Sequence, residues 1–194
     1  MTGKPPRRRF GRDFEVSALV ITASDRSAAG SRADTSGEGV ADRLSDAGFR
    51  VERTVVPDDQ PLLEAAIREG AAQHRLVITT GGTGLTPRDV TPQATLAVID
   101  YQVPGIAEAM RAAGRSITPL ADLSRAVAGV RSGALVINLP GSPKAAIESL
   151  EAIVGIIPHA LETLAGPFDH ATRAVAQLGA ASGAPAQGEG EEGA

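Results

Sequence analysis

Short β-branched runs alternate with longer Ala- and Leu-rich segments through the middle of the chain. Val16 to Thr22 reads as a buried strand, followed by the polar loop Ser24 to Thr35. Thr35-Ser36-Gly37-Glu38 fits a capping box, and Val40, Leu44 and Ala47 follow at helical spacing until Gly48. Phe49 to Val56 alternates as a second strand, and Leu62 to Ala72 puts Leu63, Ala66 and Ile67 on one face of a second helix. Leu76 to Thr80 is a third strand, stopped by Gly81-Gly82. Thr91-Pro92 reads as a cap followed by a helix-starting proline, carrying a helix to about Ile99. Helical pieces are expected near 104–113 and 119–128, and a further strand over Ala134 to Leu139. Ser142-Pro143 opens a last helix with Ile147, Leu150, Val154, Ile157, Leu161 and Leu164 on one seam, which Pro158 should kink or split.

Strands alternating with helices argue for an α/β fold around a mostly parallel sheet. In such sheets ligands sit beyond the carboxyl ends of the strands. The loops at those ends are Ser24-Asp25-Arg26, Pro57-Asp58-Asp59, Thr80-Gly81-Gly82-Thr83-Gly84 and Pro140-Gly141-Ser142. Function is expected there.

Composition narrows the chemistry. The 194 residues are 42% hydrophobic but only 3% aromatic, with no Trp, so the core must be built from Ala, Val, Leu and Ile. The absence of cysteine removes disulfides, thiolate metal sites and Cys nucleophiles. His74, His159 and His170 are far apart in sequence, which argues against a His-rich metal site. No apolar run approaches the roughly 20 residues that span a bilayer, so a cytoplasmic protein is expected.

The net charge of −4 is unevenly placed, because residues 1–12 carry five basic residues and no acid, leaving −9 on the remainder. The near-absence of aromatics for base stacking argues against nucleic-acid binding by this arm. Arg8-Arg9-Phe10 is a faint export-like feature, but the apolar stretch behind it is short and has no cleavage-like region. Residues 1–13 are therefore expected to be a disordered basic arm, 14–168 the folded domain, and the Ala-, Gly- and Glu-rich 169–194 a disordered tail.

Each loop has a chemical and a plain reading. In Thr79 to Gly84 the glycines let main-chain N–H groups approach an anion, as in a phosphate cradle, or simply make a turn. No Gly-Lys-Ser/Thr follows, and Pro87 breaks the dinucleotide fingerprint. Asp89 is either an acid favoured by a helix start or a carboxylate that holds Mg²⁺ beside phosphates. One of Asp58 and Asp59 serves as a helix N-cap, leaving the other surplus at the same edge as Asp89. Two such carboxylates suit metal-assisted phosphoryl or nucleotidyl transfer. Lys144, in the first turn of the last helix, opposes the helix dipole unless an anion binds there; it is otherwise a solvated lysine. No nucleophile elbow, His-Glu-x-x-His motif or catalytically placed histidine is present.

Thr79 to Gly84, continued by Pro87-Arg88-Asp89-Val90-Thr91-Pro92, resembles the signature of the molybdopterin-binding MogA/MoaB family. Ser24-Asp25-Arg26, Pro57-Asp58 and Asn138-Leu139-Pro140-Gly141 match in the expected order, and the similarity runs from about residue 16 to 168. The resemblance implies a three-layer α/β/α sandwich that assembles as a homotrimer. It implies adenylylation of molybdopterin: a terminal phosphate of the pterin attacks the α-phosphate of Mg-ATP, giving adenylyl-molybdopterin and pyrophosphate. A molybdate-inserting enzyme would then consume the product. Carried over, Gly81, Gly82, Thr83 and Gly84 would bind phosphate, and Asp58 and Asp89 would be the catalytic carboxylates and Mg²⁺ ligands. Asn138, Gly141 and Ser142 would line the pterin and nucleotide sites, with Ser24, Asp25, Thr80, Pro140 and Lys144 as further substrate-binding candidates. The alternative is a non-catalytic pterin-binding or scaffolding trimer.

Overall fold

A computed structural model describes residues 16–166. The expected basic arm and tail, and the outermost residues of the 14–168 domain, lie outside that range. The described chain runs β1 (Ser17–Ala23), α1 (Asp25–Ala28), α2 (Thr35–Asp46), β2 (Arg50–Val56), α3 (Gln60–Gln73) and β3 (Leu76–Thr80). It continues through α4 (Thr91–Val98), β4 (Tyr101–Gln102), α5 (Pro104–Arg115), a 3-10 turn (Pro119–Leu123), β5 (Ala128–Arg131), β6 (Ala134–Leu139), α6 (Pro143–Ile153) and α7 (Ile157–Leu164).

The six strands form one sheet in the order β2-β1-β3-β6-β5-β4. The β2, β1, β3 and β6 strands are parallel, while β5 runs against β6 and β4 against β5. Strand alternation divides the buried side chains between two layers. Ala18, Val20, Leu76, Ile78, Leu135, Ile137 and Leu139 face a core closed by α2, α5, α6 and α7, through Val40, Leu44, Ile106, Met110, Leu150, Ile153, Ile157 and Leu161. Ile21, Val77 and Val136 face the opposite way, onto Leu63 and Ile67 of α3 and Ala94 and Val98 of α4. This is the expected α/β/α sandwich with a mostly parallel sheet.

Three local expectations need correction. Residues 119–128 do not form a helix: after the 3-10 turn the chain extends and enters β5. Its Ala-Gly composition hides a strand because Gly129 must be small; a Cβ there would lie 2.6 Å from the Tyr101 carbonyl oxygen across the ladder. The two-residue β4 carries no alternation to read. The capping box at Thr35 is displaced by one residue, since Asp34 is the N-cap and its carboxylate accepts the Gly37 amide at 2.9 Å. Thr91 does not cap α4; Val90 is the N-cap residue and no side chain caps that end. The last helix does split, with Pro158 inside the first turn of α7, where its missing N–H costs no helical bond.

Candidate active site

The parallel strands end in register: Ala23 stands beside Val56, Thr22 beside Thr80, and Thr80 beside Leu139. All four following loops therefore emerge on one edge. The chain crosses from β2 over β1 to β3 and then builds outward, so the sheet order reverses between β1 and β3. A cleft of about 340 Å³, within the usual size of a small-molecule site, opens at that switch point and is lined mainly by polar groups.

The loop after β3 forms the floor. Gly81 has φ +96° and Gly82 φ +62°, a conformation that glycine adopts freely. Gly81 is also hemmed in, because a Cβ there would lie 2.3 Å from the Ala23 carbonyl oxygen, and one on Gly141 would lie 3.0 Å from Gly81 Cα. Thr80 ties this floor to both walls. Its hydroxyl donates to the Pro140 carbonyl at 2.8 Å. That uses its single hydrogen, so at the 2.6 Å contact with Ser36 the Ser36 hydroxyl is the donor.

Asp58 and Asp59 divide their work as the local pattern suggests. Asp59 caps α3, accepting the Leu62 amide at 3.0 Å. Asp58 turns to the cleft and meets Asp25: each carboxylate accepts the other's main-chain N–H at 3.0 Å. The second Asp25 oxygen pairs with the Arg88 guanidinium, which is 65% exposed and lines the cleft. The Arg88 charge and the Asp58 amide hold the Asp25 carboxyl below its ordinary value.

Asp89 sits at the end of a tight turn in which its Oδ2 accepts the Thr86 amide at 2.8 Å and the Thr86 hydroxyl at 2.6 Å. Partial burial pushes this carboxyl up, but the Thr86 donors, the Gly84 amide and the nearby Arg125 charge outweigh that and hold it below its ordinary value. Arg125 clamps the loop from behind. Its Nε donates to the Gly84 carbonyl at 2.6 Å, its Nη2 to the Asp89 carbonyl, and its own amide to the Thr83 carbonyl at 3.0 Å.

The cleft thus brings together Ser24, Asp58, Thr80, Gly81, Gly82, Asp89, Gly141 and Ser142 from the expected set, with Asp25 held against its wall. The Ser142 hydroxyl makes no cap bond to its own helix and remains on the cleft wall. Other candidates stand apart. Asn138 is fully buried, giving both side-chain N–H groups to the Thr79 and Thr95 hydroxyls and accepting the Val127 amide. Thr83 is buried, Gly84 packs on Asp89, and Pro140 contributes only its carbonyl to Thr80. Lys144 is 81% exposed, with Glu148 3.8 Å away. Thr22, Arg32, Asp34, Ser36 and Arg88 line the cleft without having been expected there. Thr22 was legible in principle from its register with Thr80, whereas Arg32 and Asp34 lie in a loop whose path no periodicity fixes.

Among the described residues no group of three or more His, Asp or Glu side chains could hold a metal ion. Asp58 and Asp89 still offer one carboxylate each at the cleft. That donor set fits a divalent cation bound mainly through substrate phosphates and water, the usual mode for Mg²⁺.

A family model described as "Probable molybdopterin binding domain" matches residues 19–159. The chain is 43% identical over 159 residues to a molybdenum cofactor biosynthesis bifunctional protein of Synechococcus elongatus, covering 81% of this chain but only 50% of that protein. It is 42% identical to a molybdopterin adenylyltransferase of Haemophilus influenzae (69% of this chain, 71% of the relative). With the Escherichia coli enzyme of that name it shares 37% identity (77% and 85%). Among solved structures, the molybdopterin biosynthesis enzyme MoaB of Thermus thermophilus superposes with a TM-score of 0.74 at 44% identity, over 78% of this chain and 98% of that one. The Mog protein of Mycobacterium ulcerans superposes with a TM-score of 0.73 at 41% identity, over 77% and 99%. The chain belongs to the molybdopterin-binding domain family that includes the Mog and MoaB proteins.

Proposed function

We propose that the protein is a molybdopterin adenylyltransferase of molybdenum cofactor biosynthesis. The observation that carries this reading is the meeting of two carboxylates, Asp58 and Asp89, with the glycine floor Gly81-Gly82 in one polar cleft at the sheet's switch point. The relatives named molybdopterin adenylyltransferase support it.

A terminal phosphate oxygen of the pterin attacks the α-phosphorus of ATP. One P–O bond forms, the bond to the β-phosphate breaks, and pyrophosphate leaves. The attacking oxygen is already ionised, so no protein nucleophile or general base is required. The chain's task is to align two anions and offset their charge. The Gly81 N–H is given to the Leu139 carbonyl. The main-chain N–H of Gly82 and the Arg88 guanidinium therefore receive phosphate oxygens, and Ser142 contacts the ligand at the start of α6. Asp58 and Asp89 would hold Mg²⁺ arriving with the nucleotide, and that ion would supply charge neutralisation between the phosphates.

The protein works as a homotrimer in the cytoplasm and passes its product to a molybdate-inserting enzyme. Exposed Ile117, Leu120 and Leu123 give self-association apolar surface to cover. Among the described residues no helix is long and apolar enough to cross a membrane.

Mass spectrometry of the products formed from molybdopterin and Mg-ATP tests the reading. Adenylylated pterin from the wild type, lost in Asp58→Asn and Asp89→Asn, is expected. Unchanged pterin in the presence of demonstrable binding would replace this reading with a pterin-binding scaffold.

A further inference from the structure

Among the described residues two cations line the cleft, Arg32 and Arg88. Arg88 is already paired with Asp25. Arg32, on the loop between α1 and α2, is exposed and has neither a hydrogen bond nor an ion pair among the described residues. A guanidinium is charged at every physiological pH and its fork of donors matches phosphate oxygens. Left unpaired in a polar cleft, it is available to an anion.

The two faces of the sheet divide the cleft into halves. Helices α3 and α4 pack on one face, and α2 and α6 on the other. The segments entering α3 and α4 bring Asp58, Arg88 and Asp89 to the cleft. Those entering α2 and α6 bring Arg32, Asp34, Gly141 and Ser142. The glycine floor joins the halves, with Gly82 beside Asp58 and Gly81 beside Gly141. The first half suits a metal-bound nucleotide, because its carboxylates can receive a divalent cation. On the second half Asp34 is the one carboxylate among the described lining residues, and both its oxygens are engaged. Oδ1 accepts the Gly37 amide and Oδ2 the Thr22 hydroxyl, each at 2.9 Å. What this half offers a ligand is the Arg32 guanidinium and the Ser142 hydroxyl, which makes no cap bond to its helix.

In-line displacement at phosphorus sets the attacking and leaving oxygens on opposite sides. With pyrophosphate and its metal on the carboxylate half, the attacking phosphate comes from across the floor. We propose that Arg32 binds this attacking phosphate, a phosphomonoester dianion with no metal of its own, and thereby sets specificity for the second substrate. The assignment of that phosphate as the attacking group rests on the adenylyltransferase reading; the anion site at Arg32 does not.

Two measurements separate these. In steady-state kinetics Arg32→Gln should raise KM for molybdopterin about tenfold, the scale of one charge-assisted hydrogen bond, with kcat and KM for ATP changed by no more than about twofold. Arg32→Lys keeps the charge without the fork and should recover part of the loss. Arg53→Gln removes the same charge from an exposed position on β2 outside the cleft and should change neither KM. An unmoved KM for molybdopterin in Arg32→Gln, a raised KM for ATP, or an equal effect of Arg53→Gln overturns the proposal.

Calorimetric titration with inorganic phosphate, without nucleotide or Mg²⁺, requires no turnover. The wild type and Arg53→Gln should bind it alike, and Arg32→Gln about tenfold more weakly. No binding by the wild type, or equal affinity in Arg32→Gln, overturns the anion site. Arg32-dependent phosphate binding by a protein that forms no adenylylated pterin keeps the site and removes the reaction. Adenylylation with an unmoved KM for molybdopterin in Arg32→Gln does the reverse.

Discussion

Asp25 and Asp58, 33 residues apart in sequence, hold each other by reciprocal bonds, the amide of each donating to the carboxylate of the other at 3.0 Å. The pair stitches the ends of β1 and β2 together at the cleft. It also leaves Asp25 Oδ2 for Arg88, so one carboxylate serves the backbone and the cation together.

Arg88 should respond to that arrangement. Its guanidinium is exposed on the cleft and loses one ion pair to Asp25 whenever it turns to a phosphate. Arg88→Gln is expected to raise KM for ATP about tenfold, the scale of one charge-assisted hydrogen bond. Asp25→Asn should lower KM by releasing the guanidinium, and that gain should vanish in the double variant. Steady-state kinetics on the four proteins checks this; a gain that survives without Arg88 would make it a matter of bulk charge.

Arg125 anchors three carbonyls of the loop that carries Asp89. Arg125→Ala leaves partly buried carbonyls without donors, and a stability loss of about 1–3 kcal/mol is expected. Hydrogen exchange should accelerate over residues 83–89 and leave the strands protected. Arg125→Lys supplies one cation but no fork and should recover only part of the loss.

Asn138 tests the boundary between binding and folding. Asn138→Ala strips partners from the Thr79 and Thr95 hydroxyls and the Val127 amide. A cost of roughly 2–4 kcal/mol is expected from those groups and the cavity together. Thermal denaturation should show the drop, while calorimetric titration of the variant held below its melting temperature should find pterin affinity unchanged. A selective loss of affinity would return Asn138 to the substrate site.

The Asp89 carboxyl lies below its ordinary value, so it stays ionised as the medium becomes mildly acidic. The sign for stability follows from this. The folded state favours the carboxylate, so its contribution is complete above the unfolded value near pH ~3.9 and is lost as pH falls through the lower folded value. Thr86→Val removes one donor and should raise the Asp89 pKa. If ionised Asp89 limits turnover at low pH, the acid limb of kcat/KM moves upward in that variant.

Much of this was legible in the chain. The buried runs 76–80 and 134–139 are strands because five apolar or β-branched residues in each, between turn signals, leave few alternatives, and the edge on which the loops gather follows from parallel topology. What escaped notice depends on contacts distant in sequence. Ala128 to Arg131 is a strand only because Gly129 admits the backbone of Tyr101. Asn138 belongs to the loop motif by sequence, yet strand alternation turns it inward to the α4 layer. Asp34 and Thr35 are adjacent and both suitable as caps; the Thr22 hydroxyl, bonded to Asp34 at 2.9 Å, marks which residue faces the sheet.

The near-contact of Gly141 with Gly81 joins two segments, 60 residues apart, main chain against main chain. No rotamer lies between them to absorb a displacement, and packed backbone transmits strain well. An anion that draws the glycine floor toward itself must carry the start of α6 along. The floor and the start of α6 therefore form one stiff plate along the cleft, and neither loop can shift without the other.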